Sequence, residues 1–269
     1  MILTIDVGNS NTVIGGISEG EVKFVSRMET EQGRTEDQYA IYFREILSLY
    51  GFCKADFNGS IISSVVPPIT IVFKGAVEKA IGLTPMLIGP GIKTGINIQT
   101  DNPAQVGADI IMCNLAARSL YKTAVIVVDM GTATTISATD KNGNFKGCAI
   151  MPGVSISKNA LSKNTAQLQE IALGNPKKTI GTNTVESMKS GIVYGNACMI
   201  DGMVERFLDE LLEDDVTIVT TGGHSKYITP YCKNNLLYNQ NLLLIGLYIA
   251  YSMNTKKHPT GVVYPLGTI

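Results

Sequence analysis

The chain has 269 residues, a formal net charge of −1, and apolar side chains at 45% of its positions. That length accommodates two modest domains or one large one with a well-filled core. The near-neutral charge argues against a nucleic-acid binder, which carries a basic face or tail; Lys177-Lys178 and Lys256-Lys257 are the nearest approach to one and read as solvated surface.

No apolar stretch reaches the roughly 20 residues of a membrane span, and the opening MILTIDVG is too short and lacks the basic lead of a signal peptide. The five cysteines, Cys53, Cys113, Cys148, Cys198 and Cys232, include no CxxC pair. Free, buried or half-buried thiols in a cytoplasmic protein are expected, without a zinc site or disulfide framework. The two histidines, His224 and His258, lie far apart without a serine-elbow context, so a histidine-based triad is not expected.

In chain order, residues 2–8 (ILTIDVG) read as a buried strand ending in a tight turn, followed by a second strand from NSNTVIGG. Residues 37–50 have apolar side chains at helical spacing. Residues 60–66 form a short strand ended by Pro67-Pro68, 70–81 a helix, 86–88 a strand and 106–121 a helix. Residues 125–131 (VIVVDMG), continued by TATTISAT, repeat the opening pattern. In both copies a β-branched run ends in Asp-x-Gly, and a threonine, Thr12 or Thr135, follows six residues after the Asp. Residues 147–153 (GCAIMPG) pass from strand to loop, 185–212 are one long helix or two joined ones, 216–220 are a strand, and 241–253 an apolar helix. The alternation implies an α/β fold, divided into 1–117 and 118–269, each half opening with the same hairpin.

A glycine turn after a strand exposes backbone N–H groups, and neighbouring hydroxyls add donors, which suits a polyphosphate. The Asp can hold a hydrated magnesium ion, which prefers oxygen ligands and keeps several waters. Two such hairpins can grip a nucleotide's phosphates from both sides of a cleft. A third element, Thr220-Thr221-Gly222-Gly223-His224-Ser225, follows a strand, and its Gly-Gly step admits a ribose or flat ring against the backbone.

These three elements, in this order, resemble the actin-like ATPase and sugar kinase superfamily. With SSVVPP, GPGIKTG, DNPAQVGAD, DMGTATT, GCAIMPG and IGTNTVESMKSGIVYG also in order, nearly the whole chain resembles the type III pantothenate kinases. The resemblance implies two ribonuclease-H-like domains flanking a nucleotide cleft. It also implies ATP-dependent phosphorylation of pantothenate to 4′-phosphopantothenate, the first step of coenzyme A synthesis. It assigns phosphate and metal contacts to Asp6, Val7, Gly8, Asn9, Ser10, Asn11, Thr12 and Val13, with Asp6 holding magnesium through water. An ATP contact also falls to Thr132, while Gly222 and Gly223 are expected to bind adenosine from their place after the two hairpins. Asp109 matches the catalytic aspartate, Asp129 the position that binds potassium or ammonium. Gly107, Ala108, Asp109, Ile110 and Thr184 match pantothenate-contacting positions. Thr184's counterpart serves the partner subunit's site, so a homodimer is implied.

Three departures touch the acceptor side. The family usually reads GADR where this chain has Ile110, a tyrosine where it has Thr100, and an LPR-like segment where it has Leu168-Gln169-Glu170. Isoleucine cannot offer the planar fork that suits a carboxylate. Phosphorylation of a different small acceptor, or a catalytically weak nucleotide-binding paralogue with a regulatory role, are the alternatives.

Overall fold

The structure is a computed structural model that describes residues 1–165 and 167–255. Lys256, Lys257 and His258 lie outside the described residues. The first part of the chain forms β1 (Ile2–Val7), β2 (Asn11–Ser18), β3 (Glu21–Glu29), α1 (Glu36–Leu49), β4 (Gly59–Ser64), α2 (Pro67–Ile81), β5 (Met86–Leu87), β6 (Asn97–Ile98) and α3 (Ala108–Tyr121). The second part forms β7 (Ala124–Met130), β8 (Ala133–Thr139), β9 (Asn144–Pro152), α4 (Val154–Lys163), α5 (Thr184–Leu211), β10 (Val216–Thr221), α6 (Ser225–Ile228), β11 (Leu237–Tyr238) and α7 (Leu242–Asn254).

These elements make two compact units. Among the described residues, one comprises 1–95, 102–120 and 241–255; the other comprises 96–101 and 121–240. The first sheet has the order β3-β2-β1-β4-β5. The second contains β9-β8-β7-β10-β11, the same order, with β6 added outside β9. In each, the central strand pairs antiparallel with the strand after it and parallel with one that arrives later (β1 with β2 and β4, β7 with β8 and β10). The Asp-x-Gly echo is therefore repeated at the level of topology.

In the first unit, Leu3, Ile5 and Val7 face a core completed by Tyr39, Phe43 and Leu47 of α1 and Phe73 and Val77 of α2. Thr35 caps α1 in a reciprocal pairing with Gln38. Pro67 and Pro68 end β4 and also open α2, where a missing N–H costs nothing; the helix begins three residues earlier than the spacing predicts. Strand β3, absent from the predicted elements, returns from β2 through Glu19-Gly20, both at positive φ (53° and 82°), a two-residue turn whose twist matches a hairpin.

Helix α7 covers the other face of this sheet. Leu244 packs on Gly15 and Tyr251 on Gly59, where any side chain would displace them. On its far side, Gly246 lies against the Met112 carbonyl of α3. The sequence division at residue 117 groups this helix with the second half; it packs with the first because LLLIGLYIAY is apolar all round and must be covered on both sides. In the second unit, α5 lays Met188, Ile192, Val193, Ala197, Ile200 and Val204 into a core with Ile126, Val128 and Ile136. Contrary to the expected burial of the thiols, Cys53, Cys148 and Cys198 are exposed; Cys113 is buried and Cys232 half-buried.

Candidate active site

In the first unit, Asp6 lies at the end of β1, half-buried, on the sheet face that α7 covers. It is in register with Val13 of β2 and Ser63 of β4. Val7 belongs to the core. The Gly8 N–H donates to the Asn11 carbonyl at 3.1 Å, and a Cβ on Gly8 would stand 2.9 Å from that oxygen. This tight turn leaves Asn9, Ser10 and Asn11 exposed. The Ser10 carbonyl accepts from the Thr30 N–H (3.1 Å), and the buried Thr12 hydroxyl pairs with that of Thr30 (2.9 Å), so β3 braces the loop. The result is a rigid turn with exposed amide and hydroxyl donors, the chemistry an anionic oxygen needs.

Also in this unit, Gly107, Ala108, Asp109 and Ile110 open α3. The Asp109 carboxylate folds back over Gly107, where a side chain would collide with it. Oδ1 accepts from the Ile110 N–H at 2.9 Å. Burial nevertheless pushes the Asp109 carboxyl above its ordinary pKa, outweighing the backbone hydrogen bonds from Ile110 and Asp109 itself. A carboxylate made more basic in this way is a better proton acceptor near neutral pH.

In the second unit three loops converge. The Gly131 N–H donates to the Ala133 carbonyl (3.0 Å), and Thr132 is exposed at the tip. Gly153 presses on the backbone of this turn: a Cβ there would fall on the Thr132 carbonyl and 2.8 Å from that of Gly131. Gly222, at φ 93°, lies against the Asp129 carboxylate and the Met130 backbone. The His224 N–H then donates to the Met130 carbonyl at 3.2 Å, and its imidazole Nε2 pairs with the Ser155 hydroxyl of α4 at 3.0 Å. Gly223 is exposed beside them. Thr184 stands exposed at the first position of α5, after an Asn183 cap that accepts from the Glu186 N–H at 3.0 Å.

The equal Asp-to-Thr spacing of the two hairpins does not carry into three dimensions. Thr12 is opposite Val7, but Thr135 is opposite Asp129 itself. The first turn is one residue longer, and a one-residue slip exchanges the faces of a strand. The structural counterpart of Thr12 is Thr134, buried like it. The pairing of Ser155 with His224 was not legible, since α4 was not among the predicted elements and the two residues are 69 apart.

At the departures from the family pattern, Ile110 is half-buried and apolar. The buried Thr100 hydroxyl has no hydrogen-bond partner among the described residues. Among those residues no group of three His, Cys, Asp or Glu side chains converges as a metal cage, and no helix is long and apolar enough to cross a membrane.

A family model described as type III pantothenate kinase matches residues 2–206. Among solved structures, a 2-dehydro-3-deoxygalactonokinase protein from Sinorhizobium meliloti superposes with a TM-score of 0.58 at 12% identity, over 96% of this chain and 98% of that one. A Baf family transcriptional activator from Campylobacter jejuni gives 0.57 at 17% identity, over 94% and 98%. The activator of the 2-hydroxyisocaproyl-CoA dehydratase from Clostridium difficile, solved with ADPNP bound, gives 0.54 at 10%, over 94% of each chain. At these identities the likeness establishes the fold: two ribonuclease-H-like sheets of the actin-like ATPase and sugar kinase class.

Proposed function

The chain belongs to the type III pantothenate kinase family, and from that premise we propose that it transfers the γ-phosphoryl group of ATP to the hydroxyl of pantothenate, giving 4′-phosphopantothenate for coenzyme A synthesis. The observation that carries this reading is Asp109, a carboxylate held at the first turn of α3 and made more basic by burial. Asp109 accepts the hydroxyl proton as the phosphoryl group departs from ADP; positioning and charge neutralisation supply most of the remaining acceleration. Asp6 to Val13, Thr132, Gly222 and Gly223 bind ATP through the braced turns described above. Gly107 to Ile110 and Thr184 contact the acceptor, Thr184 from the partner subunit of a homodimer.

A carboxylate at a half-buried strand end suits a magnesium ion, which takes oxygen ligands and keeps several waters. Asp6 would hold that ion through water, which would help neutralise the phosphate charge. Asp129, whose carboxylate is fixed against Gly222, is the position for a monovalent cation, potassium or ammonium.

Ile110 and Thr100 favour a second reading, in which nucleotide binds but pantothenate turns over poorly, or another small acceptor takes its place. The pantothenate carboxylate needs a partner when desolvated, and neither side chain is a cation. A coupled assay of the purified chain with ATP, magnesium, potassium and pantothenate decides between them. ADP production dependent on pantothenate supports the kinase; nucleotide binding without it supports the second reading.

A further inference from the structure

We infer that Ser155 and His224 are a pair of positioning residues that lock the nucleotide loop to α4, and that nucleotide affinity depends on the hydrogen bond between them. The inference rests on the nucleotide reading above and goes beyond it: His224 follows the Gly222-Gly223 step and Ser155 lies in α4, and neither is assigned a contact with nucleotide or acceptor.

Gly222 has no side chain with which to anchor itself, and its φ of 93° is one most residues avoid. The loop that contains it is fixed instead from the residue two positions on. On one side the His224 backbone N–H donates to the Met130 carbonyl, in the strand that carries Asp129. On the other, the His224 ring reaches across to Ser155 Oγ at 3.0 Å. Either partner can donate, depending on the imidazole tautomer.

Ser155 is itself well placed. It stands in the first turn of α4, two residues after Gly153, whose α-carbon is pressed against the backbone of Gly131 and Thr132. The pair therefore closes a circuit. Gly222 touches Asp129, Asp129 leads into the Gly131–Thr132 turn, that turn touches Gly153, and Ser155 returns to His224. One turn further along α4, Lys158 pairs with Glu170 at 3.2 Å. Glu170 lies in the segment that replaces the family's LPR-like lid. Helix α4 thus carries contacts to the nucleotide loop and to the acceptor-side segment, all within one unit.

Calorimetric titration of the full chain with Mg-ADP tests the pair, using Ser155→Ala, His224→Ala, the double variant and His224→Gln. Glutamine can place an amide nitrogen near the position of Nε2, so it is the conservative replacement. Each alanine variant is expected to weaken binding about threefold to tenfold, the net worth of one hydrogen bond. The double variant should lose no more than the larger single loss, because the two residues act through one contact. His224→Gln should recover most of the affinity. Thermal melts without ligand separate this from unfolding: a variant that melts like the wild type yet binds weakly supports positioning. Unchanged affinity in both alanine variants, or losses that simply add, would overturn the inference while leaving the nucleotide reading intact. Wild-type chain that binds no Mg-ADP would overturn the nucleotide reading itself, and the inference with it.

Discussion

The carboxylate of Asp129 occupies the space that a side chain on Gly222 would need. The two residues belong to neighbouring parallel strands and the turn beyond them: Thr221 is in register with Asp129, and Gly222 follows it. A Cβ at 222 would also stand 2.6 Å from the Met130 carbonyl carbon and 2.7 Å from its nitrogen. These neighbours are backbone and cannot rotate away. Gly222→Ala is expected to destabilise the chain by about 2–4 kcal/mol, combining the left-handed backbone with the overlap. Gly131→Ala is the contrast. Its Cβ would meet only ordinary contacts at 3.6 and 3.7 Å, so a loss of about 1 kcal/mol or less is expected. Urea unfolding of both variants checks the difference.

Asp109→Asn separates function from stability. Burial raises the folded pKa of Asp109 above its unfolded value. The folded state then binds the proton more tightly, so this residue's contribution is fully favourable below the unfolded pKa and is lost as pH rises through the folded one. At neutral pH the charged carboxylate opposes folding, and a neutral amide does not. The variant should melt at the same temperature as the wild type or higher at pH 7, with its advantage shrinking toward pH 4, while phosphoryl transfer falls by two orders of magnitude or more. A variant that keeps full turnover would remove Asp109 from the proton-accepting role.

Asp140 carries the opposite sign. It closes the β8–β9 connection. Its carboxylate accepts from the backbone N–H groups of Asn142 and Asn144, both at 2.9 Å, from the Asn144 side chain at 2.8 Å and from Lys146 at 3.2 Å. Burial alone would raise its pKa, but these donors together hold it down at about 2 against an ordinary 3.8. Stability from Asp140 is therefore complete above about pH 4 and is lost as pH falls through about 2, amounting to about 2 kcal/mol. Asp140→Ala should be clearly less stable than the wild type at pH 7, and the gap should narrow by about that amount at pH 2. A gap independent of pH would mean that the turn, not the charge, is what matters.

The departures proposed to face the acceptor yield a gain-of-function test. Thr100→Tyr combined with Ile110→Arg restores the residue types usual in the family. One charge-assisted hydrogen bond contributes about 1.5–3 kcal/mol, so kcat/KM for pantothenate should rise at least about tenfold. The affinity for Mg-ATP should not move, since neither residue lies in the phosphate turns. Efficient wild-type turnover, or no gain in the double variant, would show that another group holds the acceptor's carboxylate.

Local sequence fixed much of this protein. The two Asp-x-Gly strands, the helices near α1, α3, α5 and α7, and the Gly222 turn all follow from short-range rules: hydrophobic period, glycine freedom and capping. Asp6 and Asp129 were recognisable for the same reason, since each sits at the end of a β-branched run and the turn it makes is local. Among the elements not expected, two were also local but faint. β3 depends on the Glu19-Gly20 turn, and α4 on a Gly153 cap with no side-chain bond of its own.

Other features were decided only by tertiary packing. The assignment of α7 to the first unit depends on which faces were left to cover an all-round apolar helix, and no window of sequence contains that information. The exchange of Thr135 for Thr134 as the counterpart of Thr12 depends on turn length and strand register. The raised pKa of Asp109 is a property of its burial, and the depressed one of Asp140 comes from four donors converging on one carboxylate. Ser155 and His224 meet only because α4 and the turn after β10 are both built against the Asp129 hairpin. Sequence patterns register period and spacing along the chain; burial, register and contact between distant segments exist only once the chain has folded.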